Sequence, residues 1–146
     1  MPYFTYDTSV IIARRPHNLR QEPSLLISSV VMMELIANSV DDSQRKAYEA
    51  LFSDHQQNET LITPNDADWL FGSKILFWLT RRRRAAEGGS LRRLPPGASQ
   101  RMAMDVLLAV SARRLQAAIV TENWTDFKAI QHFCNIKLIK ASDFFR

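Results

Sequence analysis

The sequence predicts an α/β fold: a single domain with a mainly parallel central sheet flanked by helices on both faces. Three observations predict it. Short apolar, β-prone runs alternate along the chain with longer helix-like segments, the order of βαβ units. Capping residues stand between the two kinds of segment, at Ser28-Ser29, Pro64-Asn65-Asp66 and Ser99. The chain has 146 residues and neither an internal repeat nor a linker-like stretch, so residues 1–146 are expected to share one core.

The elements follow in order. Tyr3 to Tyr6 is aromatic and reads as a strand. Leu25-Leu26-Ile27 reads as a short buried strand, after which Ser28 or Ser29 caps a helix to about Asn38. Asp41 to Phe52 is polar with Tyr48, Leu51 and Phe52 on one side, an amphipathic helix. Leu61-Ile62-Thr63 is the next short strand. A helix from Ala67 to about Arg83 carries Trp69, Leu70, Leu76, Phe77 and Trp78. Its arginine-rich last turn complements the negative end of the helix dipole. Ala85 to Gly97 holds three glycines and two prolines and is expected to be a loop. Ser99 is expected to cap a helix to about Leu115. Ala117 to Thr121 is a strand, Phe127 to Phe133 a helix and Ile136 to Ile139 a last strand. Asp143-Phe144-Phe145 is expected to pack back on the core.

Bulk properties narrow the function. A hydrophobic content of 46% argues against disorder. The one cysteine, Cys134, has no partner for an internal disulfide, which together with a start unlike a secretion signal leads to an expected cytoplasmic location. The apolar stretch from Ser24 to Val40 is short for a membrane span and has Glu34 at its middle, so no membrane is expected. The net charge of +4 is a mild excess, but its distribution is uneven. Arg81-Arg82-Arg83-Arg84 form one block, and Arg92, Arg93 and Arg101 follow. Such a strip beside acids would suit a polyanion; alone, it is equally a solvated helix end.

The acids carry the chemistry. Asp7 ends the first apolar run, Glu34 interrupts the second, Asp105 sits within Met102 to Val110, and Asn123 and Asp126 follow Ala117 to Thr121. An isolated carboxylate in apolar surroundings costs several kcal/mol or takes up a proton. Carboxylates that converge on a divalent cation avoid both. Ligands of open α/β sheets bind beyond the carboxyl ends of the strands, where strand order reverses. If the strands ending at Asp7 and Thr121 are neighbours, both residues face that crevice, and Glu34 and Asp105 enter it from helices. Each acid also has a plainer reading: Asp7 as a turn residue, Asp105 as a partner of its helix dipole, Asp126 as a helix cap. His17, His55 and His132 show no ligand spacing, and Cys134 has no catalytic neighbour.

Four pieces in this order resemble the PIN-domain ribonucleases, most closely the VapC-type toxins of toxin–antitoxin pairs. They are Tyr6-Asp7-Thr8-Ser9-Val10, Ile27 to Leu35 with Glu34, Met104-Asp105-Val106-Leu107-Leu108-Ala109, and Val120-Thr121-Glu122-Asn123-Trp124-Thr125-Asp126-Phe127. The resemblance implies a metal-dependent endoribonuclease using Mg²⁺ or Mn²⁺. It makes Asp7, Glu34 and Asp105 metal ligands and catalytic residues, joined by Asn123, Asp126 or both, with Thr8 and Thr121 supporting the carboxylates. RNA would be the substrate, with Arg81, Arg82, Arg83, Arg84, Arg92 and Arg93 as candidate phosphate contacts. A cognate antitoxin is implied as partner. So is a homodimer, with the Trp69 to Trp78 face as a possible interface. The segment from Arg81 to Gly97 looks longer and more basic than the compact family form. The alternatives are a housekeeping RNA-processing nuclease, a PIN module that binds RNA or protein without cleaving, and a receiver- or phosphatase-like domain, for which the match around Asp7 is poorer.

Overall fold

The computed structural model describes residues 2–20, 22–86 and 97–146, without the side chains of 83–86. Five short strands and seven helices alternate among them. The strands are β1 (Phe4–Tyr6), β2 (Ile27–Ser28), β3 (Leu61–Ile62), β4 (Ala118–Thr121) and β5 (Leu138–Lys140). The helices are α1 (Thr8–Arg14), α2 (Ser29–Ala37), α3 (Asp42–Gln57), α4 (Asp66–Ala86), α5 (Ala98–Arg114), α6 (Trp124–Gln131) and α7 (Ala141–Phe144).

Every strand pairing is parallel. β4 lies between β1 and β5, with Tyr6 opposite Val120 and Thr121 opposite Lys140. β2 pairs with β3. The two ladders are joined through β1: the Phe4 N–H donates to the Ser24 carbonyl, the Leu26 N–H donates to the Phe4 carbonyl, and Phe4 bridges Leu25. The order across the sheet is therefore β3-β2-β1-β4-β5. From β1 the chain first moves outward on one side and later returns to the other, so strand order reverses between β1 and β4. Ile27, Ile119, Val120, Leu25 and Tyr6 are almost fully buried, as strands covered by helices must be. α1 packs on β1 and β4, α5 on β4, and α7 on β4 and β5. Phe144 and Phe145 close the chain against the Phe4 and Tyr6 rings.

Several boundaries differ from the sequence reading, each for a local reason. No helix is expected over Thr8–Arg14, whose Thr8, Val10, Ile11 and Ile12 are β-branched. α1 forms because the Asp7 side chain caps it, accepting from the Val10 N–H. Ser99 is not the cap of α5; Gly97 holds that place in the left-handed region at φ 81°, and Ser99 lies in the first turn. α6 starts at Trp124, three residues early, so Asp126 lies within its first turn. α4 runs on through the arginine block to Ala86, and α3 extends to Gln57 because His55 is buried, with Nδ1 on the Thr60 hydroxyl at 2.7 Å and Nε2 on the Leu19 carbonyl. Arg92, Arg93 and most of the Ala85–Gly97 loop lie outside the described residues. No helix among the described residues is long and apolar enough to cross a membrane.

One polar joint ties the start of α4 to the end of α5. Asn65 and Asp68 cap each other reciprocally: the Asp68 N–H donates to Asn65 Oδ1 at 2.8 Å and the Asn65 N–H to Asp68 Oδ2 at 3.0 Å. Arg114 adds its Nε to the same Asp68 oxygen at 3.0 Å and its Nη2 to the Thr63 carbonyl. Asp68 is buried. Asp68→Ala removes a cap and strands part of a charged hydrogen-bond network, so a loss of about 2 kcal/mol is expected. Denaturant melts of Asp68→Ala and Asp68→Asn test this; an unchanged midpoint for the alanine variant would sink it.

Candidate active site

The reversal between β1 and β4 puts Asp7 and Thr121 side by side. The Asp7 N–H still donates to the Val120 carbonyl at 3.3 Å, so Asp7 ends the ladder while its side chain starts α1. That side chain is buried and held by three donors. Ser9 Oγ donates to Oδ1 at 2.6 Å, the Val10 N–H to Oδ1 at 3.1 Å, and Thr121 Oγ1 to Oδ2 at 2.6 Å. Ser9 Oγ in turn accepts from the Glu122 N–H, and Thr121 Oγ1 from the Asn123 N–H. The loop after β4 is thus stitched to the start of α1 through Asp7.

The other acids arrive from helices packed around that point. Glu34 is half-buried on α2 and is bonded by the Thr8 side chain. Asp105 is half-buried on α5, and α5 packs on α2. Asn123 Nδ2 donates to Asp126 Oδ2 at 2.9 Å and lies 3.5 Å from Asp105 Oδ2. The amide therefore turns its nitrogen, not its oxygen, to the acids; holding a cation through Oδ1 requires half a turn about the last bond of that side chain. Asp126 is exposed at the rim. Asp7, Thr8, Ser9, Glu34, Arg101, Asp105, Asn123 and Asp126 line one cleft of ≈ 340 Å³.

The cleft is under electrostatic tension. Burial pushes the Asp105 carboxyl up to about 7, helped by Asp7, Glu34 and Asp126 and opposed by the Arg101 guanidinium. Burial also raises Asp7, against its hydrogen bonds from Ser9, Thr121 and Val10. Glu34 rises through burial, with the Asp7 charge adding to it and the Thr8 bond opposing it. Three acids whose proton affinity burial raises, with the Asp7 charge adding to Glu34 and the charges of Asp7 and Glu34 adding to Asp105, form an arrangement that a cation would relieve. Their donors are all oxygen, which suits a hard divalent ion. Among the described residues, no three acidic, histidine or cysteine side chains draw together into a tight ligand cluster. The wider spacing suits an ion that keeps part of its water.

The sequence reading and the cleft overlap unevenly. Asp7, Glu34, Asp105, Asn123, Asp126 and Thr8 line it, and Thr121 holds Asp7 from behind. Of the arginine block, Arg81 and Arg82 do not line it. Arg81 lies 4.4 Å from the Phe77 ring centroid, and Arg82 lines a neighbouring cavity. Arg83 and Arg84 have no described side chains, and Arg92 and Arg93 lie outside the described residues. Ser9 is a cleft residue to which the sequence reading gave no role, and Arg101, there one member of the basic strip, is another cleft residue. Arg101 had a signal: it stands one helical turn before Asp105, at the i,i+4 spacing that puts both on one face.

This architecture can be matched. A chain of the DNA-bound VapBC of Salmonella typhimurium is similar over 97% of this chain and 99% of its own, at 19% identity and a TM-score of 0.58. A chain of VapBC-1 from nontypeable Haemophilus influenzae matches over 96% and 98%, at 17% identity and a TM-score of 0.54. VapBC-5 of Mycobacterium tuberculosis, described as a member of the VapBC family of toxin–antitoxin systems, matches over 96% and 99%, at 18% identity and a TM-score of 0.53. This chain has the PIN-domain fold. No protein-family model matches the sequence, and no curated protein matches it. At these identities the likeness is one of fold, so the chemistry of this PIN fold rests on its own cleft.

The raised acids have a measurable consequence. Folded Asp105 binds its proton more tightly than the ordinary carboxyl at 3.8 does. Between that value and about 7 the folded state holds more protons than the unfolded, so stability falls as pH rises through the window and stays low above it. Thermal melts in EDTA at about pH 5 and about pH 8 are expected to show the lower midpoint at the higher pH. Asp105→Asn is expected to flatten that difference and to raise the midpoint at about pH 8 by roughly 2–4 °C per kcal/mol relieved. A wild-type midpoint that rises between the two pH values would refute the repulsive cleft.

Proposed function

We propose that this chain is a metal-dependent endoribonuclease that hydrolyses phosphodiester bonds in RNA, and that it is the toxin of a toxin–antitoxin pair. The observation that carries the reading is the convergence of Asp7, Glu34 and Asp105 on one cleft at the strand reversal, each raised first by burial. Mg²⁺ or Mn²⁺ fits the all-oxygen donor set. Asp7, Glu34 and Asp105 would hold it, with Asn123 and Asp126 at the rim as further ligands, one or both. When bound, such an ion lowers the pKa of its water, polarises a phosphoryl oxygen and orients the groups.

The rest of the chemistry falls to the chain. Ser9, Val10 and Thr121 fix the Asp7 carboxylate in a single orientation, so it needs no reordering as substrate arrives. Thr8 lies beside Glu34 and favours its charged form. Arg101, on the face of α5 that carries Asp105, is suited to a phosphate oxygen next to the cleavage point, neutralising charge that the acids would repel. Arg82 lies on the same approach. The similarity to VapBC chains supports an antitoxin partner. A homodimer is supported by the exposed apolar residues of α4: Trp69, Leu70, Phe77 and Trp78.

Incubation of the purified protein with total RNA tests the reading. Discrete fragments are expected with Mg²⁺ or Mn²⁺ and none with EDTA. Asp7→Asn and Asp105→Asn are each expected to lower the rate about 10²–10⁴-fold. Protons compete with the cation for the same carboxylates, so cleavage is expected to rise with pH up to and through about 7. Arg101→Ala is expected to weaken RNA binding and to reduce the salt slope by about one phosphate contact. Cleavage that survives both EDTA and Asp7→Asn would overturn the metal-nuclease reading.

A further inference from the structure

A second cavity adjoins the acidic cleft. It encloses ≈ 450 Å³ between α4, α5 and α6 and shares Arg101, Asp105 and Asp126 with the cleft. Its other walls differ in character. Leu79, Met102, Ala129 and Ile130 are apolar, and Arg82 joins Arg101 as a cation at its side. The volume lies within the range of about 300–1,000 Å³ that ligand-sized pockets occupy. Nothing in the arrangement of the acids requires an apolar chamber beside them.

We propose that this cavity receives one unpaired base of the RNA substrate, next to the phosphate held over the acids. The inference rests on the ribonuclease reading and adds a specificity pocket to it. Three features of the cavity favour a nucleotide as the occupant. The apolar walls take the faces of a flat ring, which leaves water favourably. The two guanidinium groups supply charge for the adjoining phosphates and planar surfaces that stack on bases. The shared residues make the cavity continuous with the cleft, so neighbouring parts of one strand can occupy both. A base can enter only when unstacked and unpaired, so the pocket selects single-stranded segments, loops and ends over duplex. Thr125 and Asp126, which also line the cavity, offer oxygen acceptors to the edge of the base.

The test uses the full-length protein and a labelled single-stranded RNA of about ten nucleotides, with binding read by fluorescence anisotropy in EDTA so that no strand is cut. A set of the same RNA carries one abasic position at a time. On the wild-type protein, one abasic position is expected to weaken binding by roughly 5-fold or more, with its neighbours near neutral, since stacking a base contributes about 1–3 kcal/mol. Ala129→Leu and Ala98→Phe fill the cavity from different helices and are expected to give a similar loss with the intact RNA. In these variants the sensitive abasic position should cause no further loss. The abasic scan needs no variant, so a filled protein that fails to fold leaves the test intact.

A flat abasic scan, or filled proteins that bind and cut RNA as the wild type does, would overturn the pocket alone and leave the cavity to a peptide partner. Absence of metal-dependent cleavage by the wild-type protein would instead remove the nuclease reading, and the base pocket with it.

Discussion

Carboxylates repel one another, and burial strengthens the repulsion because water no longer screens it. The organisation of this molecule depends on holding Asp7 against that tendency. Asp7 is the most constrained of the acids: it is buried, takes hydrogen bonds from two hydroxyls and a backbone amide, and serves as the cap that starts α1. Its backbone closes the β1–β4 ladder through Val120. One residue therefore joins the sheet, the first helix and the loop after β4. The bonds that fix it favour its charged form, while its surroundings favour the neutral one. Burial pushes the Asp105 carboxyl up to about 7, and the fixed Asp7 charge adds to that push.

The topology explains why the acids meet at all. Glu34 and Asp105 are separated by about half of the chain, yet α2 and α5 pack together beside the strand reversal. Neither helix supplies the cleft alone. The reciprocal cap of Asn65 and Asp68, locked by Arg114, anchors α5 at the end opposite Arg101 and Asp105. Asp105, the one acid of α5, is thereby carried on a helix that is anchored at its far end.

The sequence was legible where chemistry and periodicity agreed. Asp7, Glu34 and Asp105 each break an apolar run, and the three come to one cleft. The β1–β4 adjacency stood in the sequence only as a condition for Asp7 and Thr121 to share a crevice, and the parallel pairing of Tyr6 with Val120 meets it. Less was legible where a local bond overrides propensity. α1 is built from β-branched residues and stands because of its cap, a contact that no window of hydrophobicity contains. The start of α5 depends on a positive φ at Gly97, which displaced Ser99 from the role its side chain suggested. The arginine block drew attention by its density. The arginine that reaches the acids is the isolated Arg101, picked out by its helical spacing from Asp105 and not by local charge.

That spacing also joins the two halves of the groove. Positions 98, 101, 102 and 105 follow one face of α5, and all four line the larger cavity, while Arg101 and Asp105 line the cleft as well. A single helical stripe passes from a small residue through a cation and a thioether to a carboxylate. An acidic cleft by itself would repel the polyanion it is proposed to cut. On the proposed reading, with Arg101 one turn away and apolar walls beyond it, the same helix would offer attraction for the phosphate chain and an apolar surface for a base. The proposed cation would then act on the carboxylates, whose repulsion it would relieve, while the strand is held by the cation and the apolar walls of α5.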